Sequence, residues 1–132
     1  MSILPLQQHY ADHLPAAFYQ EVIPSGIGDA QWLIINHQLA NALAIDINDH
    51  QADLLDVFAG NRLADPNKKP IAMAYAGHQF GHYVPMLGDG RGVLLGEIVV
   101  DNGSSKERWD LHLKGAGTTP YSRHGEGRAV LR

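Results

Sequence analysis

Leu87-Gly88-Asp89-Gly90-Arg91-Gly92 gathers three glycines, a carboxylate and a guanidinium directly before the strongest apolar run of the chain, Val93–Val100. Glycine lets the main chain approach a ligand closely and adopt positive φ, and a guanidinium adds a planar fork of donors, so such a loop can grip phosphate. The same composition also closes hairpins. The loop matches neither G-x-x-x-x-G-K-[ST] nor G-x-G-x-x-G, and neither pattern occurs elsewhere in the chain; by itself it signals a turn as readily as a ligand.

Two further stretches raise the interest of the first. Lys114, in His112-Leu113-Lys114-Gly115-Ala116-Gly117, ends a strand expected over Arg108–Lys114. There Trp109, Leu111 and Leu113 share one face, and Asp110, His112 and Lys114 the other. A glycine loop followed two strands later by a lysine is the order found in a protein-kinase small lobe, where the lysine carries a compact charge to the nucleotide phosphates. The alternative is a solvated lysine at a strand end. Thr118-Thr119-Pro120-Tyr121-Ser122-Arg123-His124-Gly125-Glu126-Gly127-Arg128 is dense in hydroxyls, glycine and guanidinium. It can bond base or phosphate, or serve as a surface loop into a helix opening at Arg128–Arg132.

Other chemistries find less support. His78 and His82 stand at i, i+4, which suits a metal only on a helix, but glycines flank them and Gln79 replaces the acid of H-E-x-x-H; they read as orienting or packing histidines. No G-x-S-x-G elbow occurs, and Asp89, Glu97, Asp110 and Glu126 are each explicable as loop, strand-face or capping residues. Zero cysteines exclude disulfides, a thiol nucleophile and thiolate metal sites,.

Charge and glycine are both unevenly placed along the 132 residues. Residues 1–60 hold seven acids and no Lys or Arg, a charge of −7, while residues 61–132 hold all ten basic residues against seven acids, a charge of +3. Eleven of the fourteen glycines lie between Gly77 and Gly127. Flexible backbone and positive charge thus coincide in the last third, so chemistry is expected there. The net charge of −4 argues against generic attachment to nucleic acid or an anionic membrane, leaving only the small cluster Arg123, Arg128 and Arg132 for a nucleic-acid reading. No targeting segment or apolar run of membrane-spanning length is present, so a cytoplasmic, single-domain protein is expected.

The scaffold comes from the first half. Gln31–Ile35 reads as a short strand, His37–Ile45 as a helix capped by Asn36, and His50–Ala59 as a helix capped by Asp49, carrying Leu54, Leu55 and Phe58, and stopped by Gly60,. Asn61–Pro70 has breaker composition and marks a boundary between residues 1–70 and 71–132. Val93–Val100, the turn Asp101–Ser105 and Arg108–Lys114 read as a β-hairpin.

Taken together, Tyr75-Ala76-Gly77-His78-Gln79-Phe80-Gly81, the glycine loop with Leu95-Gly96-Glu97, His112 through Arg123, and Gly127 through Arg132 resemble the amino-terminal part of the YdiU/selenoprotein O family. The match is densest over residues 71–132, with weaker similarity at Leu14–Tyr19 and Asn36–Ala44. The resemblance implies an α+β fold: a kinase-like small lobe with an antiparallel sheet and glycine loop, a helical amino-terminal extension, and a large lobe absent from this chain. It implies a pseudokinase-like adenylyltransferase that binds ATP in reversed orientation and moves AMP to Ser, Thr or Tyr hydroxyls of protein substrates, with Mg²⁺ or Mn²⁺. By that resemblance Gly88, Gly90 and Arg91 belong to the ATP-contacting loop, Lys114 is the nucleotide lysine, and Glu126 and Gly127 form a later nucleotide contact, Glu126 standing where the family usually has Asp. The base and the metal ligands are implied beyond Arg132, so this stretch alone is expected to be inactive. A kinase-type phosphoryl transferase and a noncatalytic nucleotide-sensing or partner-binding module are the alternatives.

Overall fold

The computed structural model describes residues 2–130. In chain order it forms helix α1 (His9–His13), a 3-10 turn at Ala16–Phe18, strand β1 (Tyr19–Glu21), helices α2 (His37–Ala42) and α3 (Gln51–Phe58), and strands β2 (Ile71–Met73), β3 (Gly77–Gln79), β4 (His82–Val84), β5 (Gly92–Asp101) and β6 (Lys106–Lys114). The class is α+β. Four strands form an antiparallel sheet in the order β1-β2-β5-β6, and β3 pairs with β4 in a separate hairpin.

The hairpin read from the sequence forms, and its strands run slightly further than expected, over Gly92–Asp101 and Lys106–Lys114. Its turn is held by the Asn102 N–H donating to the Ser105 carbonyl at 3.0 Å and the Gly103 N–H donating to the Asp101 carboxylate at 2.9 Å. Residues 92–98 of β5 are buried without interruption, as befits a central strand covered on both faces.

Strict alternation along β5 would place Glu97 beside Val93 and Leu95 in the apolar core. A β-bulge between Leu94 and Gly96 prevents this by resetting the register, so that Gly96 faces Leu111 and Glu97 faces Asp110,. Gly96 takes φ +144, and a Cβ there would come within 2.7 Å of the Gln7 carbonyl oxygen; only glycine fits. Glu97, 2% exposed, is thereby turned toward the amino-terminal segment. Its backbone pairs with Gln7 through two 2.8 Å bonds, and its carboxylate accepts the N–H groups of His9 and Tyr10 at 2.8 and 3.1 Å. One carboxylate thus satisfies the first orphan donors of α1 and ties the chain start to the central strand.

Helices α2 and α3 close the other face. Asn36 caps α2 as expected, its side-chain oxygen accepting from Leu39 N–H at 2.9 Å. The helix ends at Ala42, three residues early, because Ala44 turns to φ +54; Ile45 N–H then reaches the Ala40 carbonyl and Ala44 N–H that of Asn41, a Schellman closure with buried Ala40 and Ile45 in contact range,. α3 closes the same way on Gly60, φ +76, with Asn61 N–H bonding Asp56 O. Asp49 is not its cap: His50 occupies that position without a side-chain bond, and the Asp49 N–H instead donates to the Asp46 carboxylate. α3 buries Leu54 and Val57 completely, while Leu55 and Phe58 are half-buried.

Gln31–Ile35 is not a strand. Leu33 and Ile34 are 79% and 82% exposed, and a strand requires a neighbouring edge, which this segment does not meet among the described residues. Trp32 instead turns inward, its ring meeting Phe58 edge-on at 6.0 Å. The short strands β1 and β2 carry too few residues for a period-2 signal, and the sequence reading missed both.

Leu4 and Leu6 from the chain start, Leu43, Ile45, Ile47, Leu54 and Val57 from the helical stretch, and Val93, Leu95, Ile98 and Ala116 from the hairpin pack into one cluster. Residues on both sides of Pro70 therefore share a core, and β1 is hydrogen-bonded to β2 across that point. Replacing Glu97 with Ala leaves two part-buried helix N–H groups without their acceptor and is expected to lower unfolding free energy by about 2 kcal/mol, read by urea denaturation. Lys106→Ala, at an exposed strand end, is expected to stay within about 0.5 kcal/mol of the parent.

Candidate functional site

On the sheet face opposite the helices, β5 and β6 end together, with Gly92 registered against Lys114 and Leu94 against His112. Gly115 N–H donates to the Arg91 carbonyl at 2.6 Å, which fixes Arg91 and Lys114 at adjoining ends of paired strands. The loop 115–128 folds back over this end, and the β3–β4 hairpin stands beside it. Together they enclose an open cleft of about 740 Å³, within the size range of ligand pockets. All six residues singled out from the sequence, Gly88, Gly90, Arg91, Lys114, Glu126 and Gly127, line this one cleft. Arg91, Lys114 and Glu126 are exposed into it, whereas Gly88 and Gly127 are buried in its wall.

The glycine loop is clamped rather than loose. Its N–H groups at Leu87 and Gly88 donate to the Tyr75 carbonyl and that of Asp89 to the Met73 carbonyl, leaving Gly90 and Arg91 as the donors not engaged in this way. From the other side Thr119 Oγ donates to the Asp89 carbonyl and Ser122 Oγ to the Gly90 carbonyl, each at 2.5 Å. Gly88 sits at φ +61 with the Tyr121 ring so close that a Cβ would lie 2.6 Å from it. Two hydroxyls of the 118–128 stretch, those of Thr119 and Ser122, thus bond the loop itself.

Gly127 has an equally local cause. It packs backbone to backbone on Gly117, whose N–H donates to the Gly127 carbonyl at 3.1 Å, and any Cβ would collide with the Gly117 carbonyl. This contact sets Glu126 at the cleft and turns Arg128 inward, where its guanidinium donates to the carbonyls of Ser25 and Gly115 at 2.9 and 3.1 Å. Arg128 ties three segments together, and residues 128–130 form no helix; Leu131 and Arg132 lie outside the described residues. Arg123 reaches Gln79 on the β3–β4 hairpin at 3.4 Å. His78 and His82 lie in that hairpin on opposite strands, His78 facing Tyr83 and His82 facing Gln79.

Asp89, Tyr75 and His112 form the organising cluster that the sequence left unassigned. Asp89, with a side chain only 7% exposed, accepts Met73 N–H at 3.0 Å, Tyr75 O–H at 2.9 Å and His112 Nε2–H at 3.3 Å. Burial raises a carboxyl, but the hydrogen bonds from His112, Met73 and Tyr75 outweigh it and hold Asp89 below its ordinary value,. The Asp89 hydrogen bond raises His112 against the opposing effect of burial, and burial, followed by the bond to Asp89, pushes Tyr75 up to about 12. The alternation that put His112 beside Lys114 was a usable signal for this cluster; the 23-residue separation of Asp89 from His112 hid the pairing.

Asp89 contributes stability that is present above its ordinary value of 3.8 and is lost as pH falls through its lowered folded value. His112 contributes stability that is complete below its ordinary 6.5 and is lost as pH rises through its raised folded value,. The stability difference between the parent and Asp89→Asn is therefore expected to be largest between those two ordinary values and to shrink on both sides, as measured by urea midpoints across pH.

Among the described residues no cluster of three or more His, Asp or Glu could hold a metal ion, and no helix is long and apolar enough to cross a membrane. Comparison with known proteins places the chain in a family. Residues 5–132 match the model described as protein adenylyltransferase SelO. The chain is 50% identical over 121 residues to protein nucleotidyltransferase YdiU of Vibrio atlanticus, covering 90% of this chain and 24% of that protein. It is 54% identical over 119 residues to the protein of the same name from Pseudomonas entomophila, with 88% and 23% covered, and 46% identical over 128 residues to that of Rhizobium rhizogenes, with 97% and 24% covered. It spans about a quarter of the length of these curated relatives. With a match running from residue 5 to residue 132 and through every strand that borders the cleft, the chain belongs to the SelO family.

Proposed function

We propose that the cleft is the ATP site of a protein adenylyltransferase and that residues 71–132 are its kinase-like small lobe. The observation that carries this reading is the convergence of Arg91 and Lys114 on one hollow beside the clamped glycine loop. Two cations, the Gly90 and Arg91 N–H groups and the Thr119 and Ser122 bonds that hold the loop rigid make a preorganised cradle for a polyphosphate. Such a cradle stabilises charge without rearranging during reaction.

In the reaction, a Ser, Thr or Tyr hydroxyl oxygen of a protein substrate attacks the α-phosphorus of ATP. The new O–P bond forms as the bond to the bridging oxygen of the β-phosphate breaks, and pyrophosphate leaves with that electron pair. The hydroxyl proton passes to a base that the family resemblance implies outside this stretch. Arg91 and Lys114 neutralise phosphate oxygens, and Glu126, with Gly127 fixing its backbone, borders the nucleotide. Metal ligands for Mg²⁺ or Mn²⁺ are implied by the family resemblance beyond Arg132, and no group of three or more His, Asp or Glu that could hold a metal ion gathers among the described residues. On this reading residues 1–132 alone bind nucleotide at best weakly and do not transfer AMP, and the whole protein acts in the cytoplasm.

Lys114→Ala and Arg91→Ala are each expected to weaken ATP binding about tenfold or more in calorimetric titration, as loss of a charge-assisted hydrogen bond dictates. Equal affinity of parent and Lys114→Ala removes the proposed site. In the longer protein, label from α-phosphate-labelled ATP is expected on the protein substrate and label from the γ-position is not; the reverse result identifies phosphoryl transfer instead.

A further inference from the structure

We infer that His112 is a further nucleotide-binding residue of this cleft: anchored on Asp89 through Nε2, its imidazole in the doubly protonated form offers Nδ1–H to an anionic oxygen of the nucleotide, which makes affinity depend on pH. This inference rests on the nucleotide reading above and names a control acting on the same site.

The geometry supports each part. His112 and Lys114 project from the same face of β6, and both line the cleft. The imidazole lies over Gly92, where a Cβ would stand 2.6 Å from its Cε1 and 3.3 Å from its Nδ1. The missing side chain at Gly92 is what leaves room for the ring at this position,. The His112 side chain is 38% exposed while that of Asp89 is 7% exposed, so the imidazole is bonded to a buried carboxylate and still lines the cleft.

A carboxylate only accepts, so the nitrogen facing Asp89 carries a proton in both states of the ring, and the proton that comes and goes is the one on Nδ1. When that proton is absent, Nδ1 is an acceptor and repels a phosphate oxygen. When it is present, a third cation joins Arg91 and Lys114. Asp89 cannot turn away to meet the ligand itself, because Met73 N–H and Tyr75 O–H hold its oxygens.

The groups that set the balance come from every surrounding element. Asp89 and Arg91 belong to the glycine loop, Tyr75 follows β2, Asp110 and Lys114 lie on the same strand as His112, and Arg123 and Glu126 come from the closing loop. The bond to Asp89 raises the imidazole, burial opposes it, and the charges of Asp89 and Asp110 add to the rise, which moves the titration above its ordinary value.

The test is calorimetric titration of ATP into the parent chain and His112→Gln from about pH 5.5 to about pH 8.5, a span that brackets the histidine titration. The ratio of their affinities cancels the protonation of ATP itself. It is expected to be about tenfold at the acid end and to approach unity at the alkaline end. The second measurement needs no variant: the His112 titration followed by NMR in the parent is expected to move up in pH when ATP saturates the site, by the reciprocity of linked binding. Adenosine, which lacks phosphate, is expected to leave it unmoved. A ratio independent of pH, or a His112 titration indifferent to ATP, overturns this inference and leaves the ATP site standing. An equal upward shift with adenosine also overturns it, since the ring then serves the nucleoside. Failure of the parent to bind ATP at any pH overturns both readings.

Discussion

One buried carboxylate holds the cleft together. Asp89 lies between two glycines, yet it is the least movable residue of the loop, because β2, Tyr75 and β6 each place a donor on it. A carboxylate this deep is tolerated only when its lone pairs are filled, and the donors that fill them come from two separate segments, Met73 and Tyr75 at the end of β2 and His112 on β6,. The loop therefore cannot settle elsewhere without stranding a charge. Glycine supplies room for Tyr121 and His112 to pack against it, and the carboxylate supplies the rigidity.

A second carboxylate plays the corresponding part at the middle of the same strand. Glu97 reaches the amino-terminal helix because the bulge at Gly96 turns it out of the apolar face. Both acids sit on or beside β5, and both join that strand to segments distant in sequence. The central strand is thus tied at its middle to the chain start and at its beginning to the cleft, while Leu94, Leu95 and Ile98 are buried along it. Binding residues at the ends of such a strand inherit its stiffness, which is what a preorganised electrostatic site requires.

Much of this was legible in the residues. Turn chemistry at Asp101–Ser105 placed the long hairpin, and alternation along β6 put His112 and Lys114 on one face, where they are found. The cap at Asn36 and the stop at Gly60 were also legible, since each depends on neighbours within a few positions. Gln31–Ile35 misled because an apolar run looks alike whether it pairs in a sheet or lies across a helix; Trp32 found Phe58 instead of a strand edge. Asp49 misled because α3 starts one residue later, with His50 at the N-cap position, and Asp49 lies in the preceding turn, where its N–H donates to the Asp46 carboxylate.

The sequence by itself determined which side chains could serve an anionic ligand and the order in which they come, since residue type and period-2 spacing are local properties. It could not determine that Asp89 would bond His112, that Thr119 and Ser122 would close on the glycine loop, or that Arg128 would be used to bind carbonyls rather than left for a ligand. Those outcomes depend on segments brought together by a shared apolar core and by the need to give every buried polar group a partner, and such demands arise only once the chain is folded.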